Sequence, residues 1–265
     1  GPGLGVYSPG TAYVLLHHAM GDVDGNVGSW GFARGGMGSV AKAIASSYQS
    51  FGGEIRTDAE VEQIRVKGRK ANGVVLASGE EISANIVVSN LDAKRTFLNI
   101  MDEGDLPKDL VKRAQNFKIR GSSGKVNIAL DGLPEFPALP KGSPLTLGHM
   151  HFTDTLERLE RAYDDWKDDH WSQDPYLDTL IPTQYDPTMT PAGKHMMSVF
   201  VQYCPAEAEG GWTDEKRDAF GATVIDQIAE YSPNFKDLIV HAEVRTPKEI
   251  ENEVGLTEGN IFQGE

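Results

Sequence analysis

The stretch Trp30–Ile64, "WGFARGGMGSVAKAIASSYQSFGGEIRTDAEVEQI", decides how the rest of the chain is read. Met37, Val40, Ala41, Ile44, Ala45 and Tyr48 recur at helical spacing and form one apolar stripe, which predicts a helix over 37–48. Gly35, Gly36 and Gly38 stand at its start, and Gly52-Gly53 closes it as glycines close helices. A short strand is expected at Glu54–Thr57. Glycine turns that open helices often hold nucleotides, but a dinucleotide fold needs a hydrophobic strand before the turn, and none precedes this one.

Working outward, Val61–Asn90 reads as a β-meander with turns at Gly68, Asn72-Gly73 and Ser78-Gly79. Its last segment, "NIVVSN", is apolar on both faces and is expected as a buried strand of a larger sheet. Beyond it the texture alternates. Asp105-Leu106-Pro107 opens a helix, "GKVNIAL" at 124–130 alternates as a strand, and "LPEFPALPKGSP" is a surface loop. "TDTLERLERAYDDWKDD" is an amphipathic helix, followed by strands at "YLDTLIP" and "HMMSVFVQYC". Thr213 caps a helix that buries Phe220, Val224, Ile228 and Tyr231, and Thr246-Pro247-Lys248-Glu249 has capping-box spacing. The result is an αβββ block and then a mixed run of helices and strands, with boundaries near residues 30 and 97.

Among 265 residues, 39% hydrophobic and 24% charged content fits a globular protein, and no apolar run is long enough for a membrane helix. The formal charge of −14 argues against a nucleic-acid partner, since nothing would neutralise a phosphate backbone. The first residues lack a basic leader. The single cysteine, Cys204, excludes an internal disulfide and any paired-cysteine redox motif, and points to a reducing compartment.

The stretch from Gly35 to Ile64, with "GVVLASGEEISANIVVSN", "YVLLHHAMG", "GSWGFARGGMG", "DPTMTPAGKHMMSVFVQY" and "GNIFQGE", resembles FAD-dependent oxidoreductases related to phytoene desaturases. The resemblance covers nearly the whole chain. It implies an α/β fold, mixed with α+β character: a partial FAD/NAD(P)-binding domain plus a mixed-sheet substrate-binding domain with helices. Residues 30–97 would be the central part of the FAD-binding domain, 1–29 and 98–258 the substrate-binding domain, and 259–265 the start of a return toward the flavin domain. The family's GxGxxG fingerprint and its second glycine motif are not in this sequence, so a central fragment of a longer flavoenzyme is expected, inactive and colourless on its own. By resemblance, Gly35, Gly36 and Met37 would lie near the flavin ring, and Glu60 and Val61 beside the adenine half. FAD would accept a hydride from a small apolar substrate. Cytoplasm, or the mitochondrial matrix in a eukaryote, is the expected location. Membrane association has no sequence support, and oligomeric state is left open. The competing expectation is a non-catalytic binding or interaction module with a flavoprotein-like fold.

Few residues announce chemistry. His17-His18 follow the apolar run "AYVLL" and read as a strand-end pair, one packed and one exposed; the functional alternative turns one toward the substrate pocket. His149 and His151, in "HMH", would share a face if extended, but no further ligands complete a metal pattern and no metal is expected. Phe152, Trp166, Tyr176, Phe200 and Tyr203 line a cavity in one reading and fill a core in the other, with Phe200 the weak substrate-binding candidate. Cys204 reads as a buried, inert thiol, and Asp186-Pro187 as a structural corner. No acid or base stands out.

Overall fold

Thr213 begins the helix against which the main sheet is built. Its side chain accepts a hydrogen bond from the Lys216 N–H, and Asp214 and Glu215 sit at the positive end of the helix. The computed structural model describes residues 3–264, apart from the side chain of Leu145. Among the described residues the helices are α1 (Ala12–Ala19), α2 (Met37–Ser50), α3 (Lys108–Gln115), α4 (Leu156–Lys167), α5 (Asp214–Tyr231), α6 (Phe235–Leu238) and α7 (Pro247–Val254). The strands are β1 (Asp22–Val23), β2 (Asn26–Val27), β3 (Val61–Lys67), β4 (Lys70–Leu76), β5 (Glu81–Ser83), β6 (Ser123–Leu130), β7 (Met150–His151), β8 (Tyr176–Leu180), β9 (His195–Gln202) and β10 (Ile239–Arg245). Helices and sheets are mixed along the chain, as expected for the α/β class. The chain divides into a unit formed by residues up to 43 with 120–261, and a unit formed by 44–119 with the residues from 262.

In the larger unit, β10, β6, β9, β8 and β7 form one sheet in that order. Each pairing is antiparallel, where a mixed sheet was expected. Alternation at period 2 gives the sheet two unlike faces. Val126, Ile128, Leu130, Leu177, Met197, Val199 and Val201 point to a core completed by Phe220, Val224 and Ile228 of α5. Each of those three helix side chains is fully buried, which contributes roughly 1.5–3 kcal/mol apiece. Glycines allow the close approach: a Cβ on Gly124 would lie 2.5 Å from the Phe220 ring, and one on Gly221 2.5 Å from Val244. Thr246 and Glu249 form the expected capping box on α7. A second cluster joins Ala162 and Trp166 of α4 to Tyr203, with the Trp166 indole donating to the Gly121 carbonyl at 2.9 Å. The opposite face of the sheet carries Lys125, Asn127, Tyr176, Asp178, Ser198 and Phe200, all half-buried.

In the smaller unit, β3, β4 and β5 form an antiparallel meander that buries its own Ile64 and Leu76; Ala114 of α3 and Ile119 are buried as well. Gly68-Arg69, both at positive φ, make the tight β3–β4 turn, and Gly79 makes the next. Asn72-Gly73 is not a turn: it lies inside β4, where a Cβ on Gly73 would run into the Ile82 carbonyl, so glycine serves close strand approach there.

Three further expectations are corrected. Residues 54–57 form no strand, since none of the described strands runs beside them. "NIVVSN" is likewise not a strand, and Ile86 and Val88 are 79% and 86% exposed; a two-sided apolar strand needs neighbours that the described residues do not supply. "AYVLLHHA" is helix α1 and not a strand, because alanine, leucine and histidine outnumber its single β-branched residue, and the His18 ring bonds back to the Val14 carbonyl one turn earlier. Helix α2 forms where the periodicity predicts, yet none of its residues is buried.

Candidate functional site

The glycine turn is fixed by a residue far away in sequence. Gly35 and Gly36 adopt φ +82° and +75°, a left-handed pair that side chains would resist. The Gly35 N–H donates to Asp186 Oδ2 at 2.5 Å, and Asp186 Oδ1 accepts from the Thr188 N–H at 3.1 Å and hydroxyl at 2.5 Å. These bonds, from Thr188 first and then Gly35, hold the Asp186 carboxyl below the usual carboxylate range. The Gly36 carbonyl accepts from the Ser39 N–H and hydroxyl, which locks the start of α2. Met37 then stands 76% exposed. The corner expected at Asp186-Pro187 therefore does more than turn the chain, because it carries the carboxylate that orients the glycine turn.

From Asp186 a row of rings runs through the same unit. Tyr185 stacks on Phe32 with centroids 4.8 Å apart, and Phe32 on His149 at 6.1 Å. His149 contacts Trp30 at 5.4 Å, Trp30 contacts His18 at 5.2 Å, and His18 meets His17 at 5.7 Å. On its other side His149 stacks on His151, and His151 on Tyr176. Of these pairs Tyr185–Phe32 is of the kind whose offset stacking contributes about 0.5–1.5 kcal/mol beyond area burial. Along this row Trp30, Phe32, Tyr185, His17 and His18 are all exposed.

Polar groups are threaded through the rings. His149 Nδ1 lies 2.6 Å from Asp178 Oδ1, and the Tyr176 hydroxyl 2.7 Å from His151 Nδ1. In register, Asp178 faces Phe200 across β8–β9, and Phe200 faces Lys125 across β9–β6. The Lys125 ammonium bonds to the Ser198 hydroxyl. Burial pushes the Lys125 amine below its ordinary range, and the Asp178 charge opposes this only in part. Burial, then the Asp178 charge, pushes the Tyr176 phenol up.

The structure thus places His17 and His18 in the ring row that reaches the Gly35–Met37 turn, and Phe200 in register with Asp178 on the open face of the sheet. The expected strand-end arrangement of the two histidines is replaced by two exposed side chains on a helix. Glu60 and Val61 belong to the smaller unit, where the Glu60 carbonyl accepts from Ala77 and Val61 lies on β3 at the sheet edge. Of the aromatic candidates, Phe152 is core, Trp166 and Tyr203 form the second cluster, and Tyr176 and Phe200 reach the open face. Sequence reasoning passed over Trp30, Phe32, Lys125, Asp178 and Tyr185. One signal was available: Trp30/Phe32, His149/His151, Tyr176/Asp178 and Ser198/Phe200 are all i, i+2 pairs, which share a face in extended chain. Among the described residues no group of histidine, cysteine and carboxylate is placed to hold a metal ion. Cys204 is fully buried, and burial raises its thiol pKa.

Comparison with known proteins identifies the family and the fold. The family model described as flavin containing amine oxidoreductase matches residues 5–242. Pyridine nucleotide-disulfide oxidoreductase domain-containing protein 2 of Rattus norvegicus is 37% identical over 97% of this chain, which spans 46% of that protein's length. Prolycopene isomerase 2, chloroplastic, of an Oncidium hybrid cultivar is 28% identical over 88% of the chain and 38% of its own length. Among solved structures, a putrescine oxidase triple mutant aligns at TM-score 0.52 and 15% identity over 85% of this chain and 40% of that one. Reduced UDP-galactopyranose mutase aligns at TM-score 0.51 and 16% identity over 87% and 44%. At these identities the two structures speak for the fold alone.

Proposed function

Since this chain belongs to the family of flavin-containing amine oxidoreductases, we propose that it supplies the substrate-holding face and the ring-side helix start of a FAD-dependent oxidoreductase. The membership bears out the resemblance read from the sequence. The chain spans about half the length of the curated relatives it matches, so activity and substrate are matters of proposal for the whole protein.

The residues present fit one end of the cofactor. The Gly35–Met37 turn opens a 14-residue helix, carries no side chain at two successive positions and faces outward. A flat ring can approach such a backbone closely. No GxGxxG occurs in the sequence, so these residues do not form a pyrophosphate cradle. When bound, a flavin supplies hydride-accepting chemistry. What this chain contributes is position: Asp186 orients the glycine turn, and the ring row from Tyr185 to Tyr176 offers a long track of aromatic faces with polar edges. Val61, on edge strand β3, and the Glu60 N–H just before it are proposed to offer backbone hydrogen bonds to the adenine half.

The observation that carries the reading is the continuity of that row with the Gly35 turn through Phe32, Tyr185 and Asp186. A small, elongated apolar substrate suits it, and the isomerase of a polyene among the relatives is consistent with that class. The test is the visible spectrum of protein expressed from its full-length reading frame, followed by anaerobic mixing with polyenes and with aliphatic amines. Bound flavin that bleaches with an apolar substrate is expected. A protein that stays colourless after reconstitution with FAD refutes the reading.

A further inference from the structure

His149 and Asp178 form a pair with a geometry beyond packing. The Asp178 carboxylate can only accept, so at 2.6 Å the proton of the neutral imidazole resides on His149 Nδ1. Nε2 is then the basic nitrogen, and it has no hydrogen-bond partner among the described residues. The His149 side chain is 32% exposed, whereas that of Asp178 is 22% exposed. Asp178 also interacts with the Lys125 amine, whose charged form it favours against the effect of burial, so the carboxylate lies between that amine and the imidazole. The ring is held by neighbours on three sides: Trp30, Phe32 and His151. An imidazole in a set tautomer, oriented by a carboxylate and set among aromatic faces, has the parts of a general base for a flat or elongated apolar molecule.

We infer that His149, oriented by Asp178, is a proton-accepting group for a molecule bound on the ring-lined face of the sheet. The inference rests on the reading above for what the base serves, but its chemistry stands apart from flavin. The bound molecule's X–H proton passes to His149 Nε2, and the X–H electron pair stays with the molecule. The imidazolium so formed is stabilised by the Asp178 carboxylate and releases its proton to solvent through its exposed edge. Trp30 and Phe32 hold the flat part of the molecule, and Phe200, in register with Asp178, extends the platform. The second pair, Tyr176 with His151, lies one ring further along and keeps His151 engaged.

The probe is a nitrobenzisoxazole, a flat aromatic molecule that opens when a base removes its ring C–H proton. The C–H pair becomes part of a nitrile, the N–O bond breaks, and a coloured phenolate leaves, so the step needs no oxidant. Full-length protein is expected to open it at least about tenfold faster than free imidazole at equal concentration. His149→Gln should lose on the order of tenfold or more, Asp178→Asn a few-fold through the wrong tautomer, and His241→Gln, at an exposed histidine on β10, nothing. His149→Phe keeps the stacking and removes the base, so it serves if His149→Gln fails to fold. A rate no greater than free imidazole, or one indifferent to His149, overturns the inference. Flavin content is read from the same samples. Flavin without His149-dependent opening sinks the base and leaves the flavoenzyme reading standing; opening in protein that never takes up flavin supports the base and sinks that reading.

Discussion

Replacing Gly124 with alanine tests how the substrate-facing sheet is held against α5. The added Cβ would lie 2.5 Å from Cζ and 2.7 Å from Cε1 of Phe220. Carbon contacts settle at about 3.5–4.0 Å, so the ring must retreat by roughly 1 Å. It has nowhere to go: Phe220 is 0% exposed, and Trp212 meets it edge-on at 6.2 Å. Overpacking of this kind costs about 1–3 kcal/mol. Alanine recovers roughly 0.5–1 kcal/mol of backbone entropy, so the middle of the two ranges leaves a net loss of about 1.3 kcal/mol. For a unit of this size that is a fall in Tm of roughly 3–5 °C. Trp30, Trp166, Trp171 and Trp212 all belong to the larger unit, so tryptophan fluorescence reports its melting separately from the smaller one. Phe220→Leu removes the clashing ring atoms, and the double variant should be more stable than the sum of the single losses by about 1 kcal/mol. A Gly124→Ala protein that melts at or above the parent temperature, or strictly additive losses, would refute the packing account.

Lys125→Met should raise the melting temperature at neutral pH. Burial lowers the folded-state pKa of this amine below its ordinary 10.5, so its charge costs stability fully below the folded value, and the cost fades as pH rises through 10.5; melts from neutral to alkaline pH should show the variant's advantage shrinking. Gly36→Ala, at φ +75°, should speed amide exchange in the first turn of α2 on the order of tenfold, whereas Gly38→Ala, with nothing within 4 Å of its Cβ, should slow it; hydrogen exchange reads both, and equal effects would remove the left-handed turn from the explanation. Cys204, fully buried with its thiol pKa pushed up first by burial and then by Glu249, should resist an aromatic disulfide reagent until denaturant unfolds the larger unit; stoichiometric labelling in buffer would contradict this.

Local pattern carried the elements whose burial is settled close by. Helix α5 was legible because its cap, its acidic first turn and its apolar stripe agree, and the sheet it covers lies in the same unit; only Tyr231, expected to be buried with that stripe, is 40% exposed at the helix end. The turns at Gly68 and Gly79 were legible because positive φ has a residue signature. Asn72-Gly73 carries the same signature, but there glycine serves a close approach within β4, and a dipeptide cannot tell the two uses apart. "AYVLL" misled for a related reason: a short apolar run fits strand and helix alike, and length and flanking residues decide.

The elements misread, and the site passed over, share a cause. Ile86, Val88 and the stripe of α2 look buried in sequence and stand exposed in the structure, because periodicity states which face is apolar and not what lies against it. The Gly35 turn shows the same limit from the other side. Its glycines are visible in the sequence, but the group that gives them a fixed orientation is Asp186, which is 151 positions away. The His149–Asp178 pair joins β7's edge to β8 across 29 positions and depends on register, which a one-residue slip would destroy by turning Asp178 to the core face. Asp178→Asn and Asp186→Asn therefore probe different things. The first alters a proton-bearing pair and leaves the glycine turn intact. The second weakens the turn and leaves the pair intact. If both variants changed flavin content equally, the separation of ring-side turn and proton-accepting face argued from these contacts would not hold.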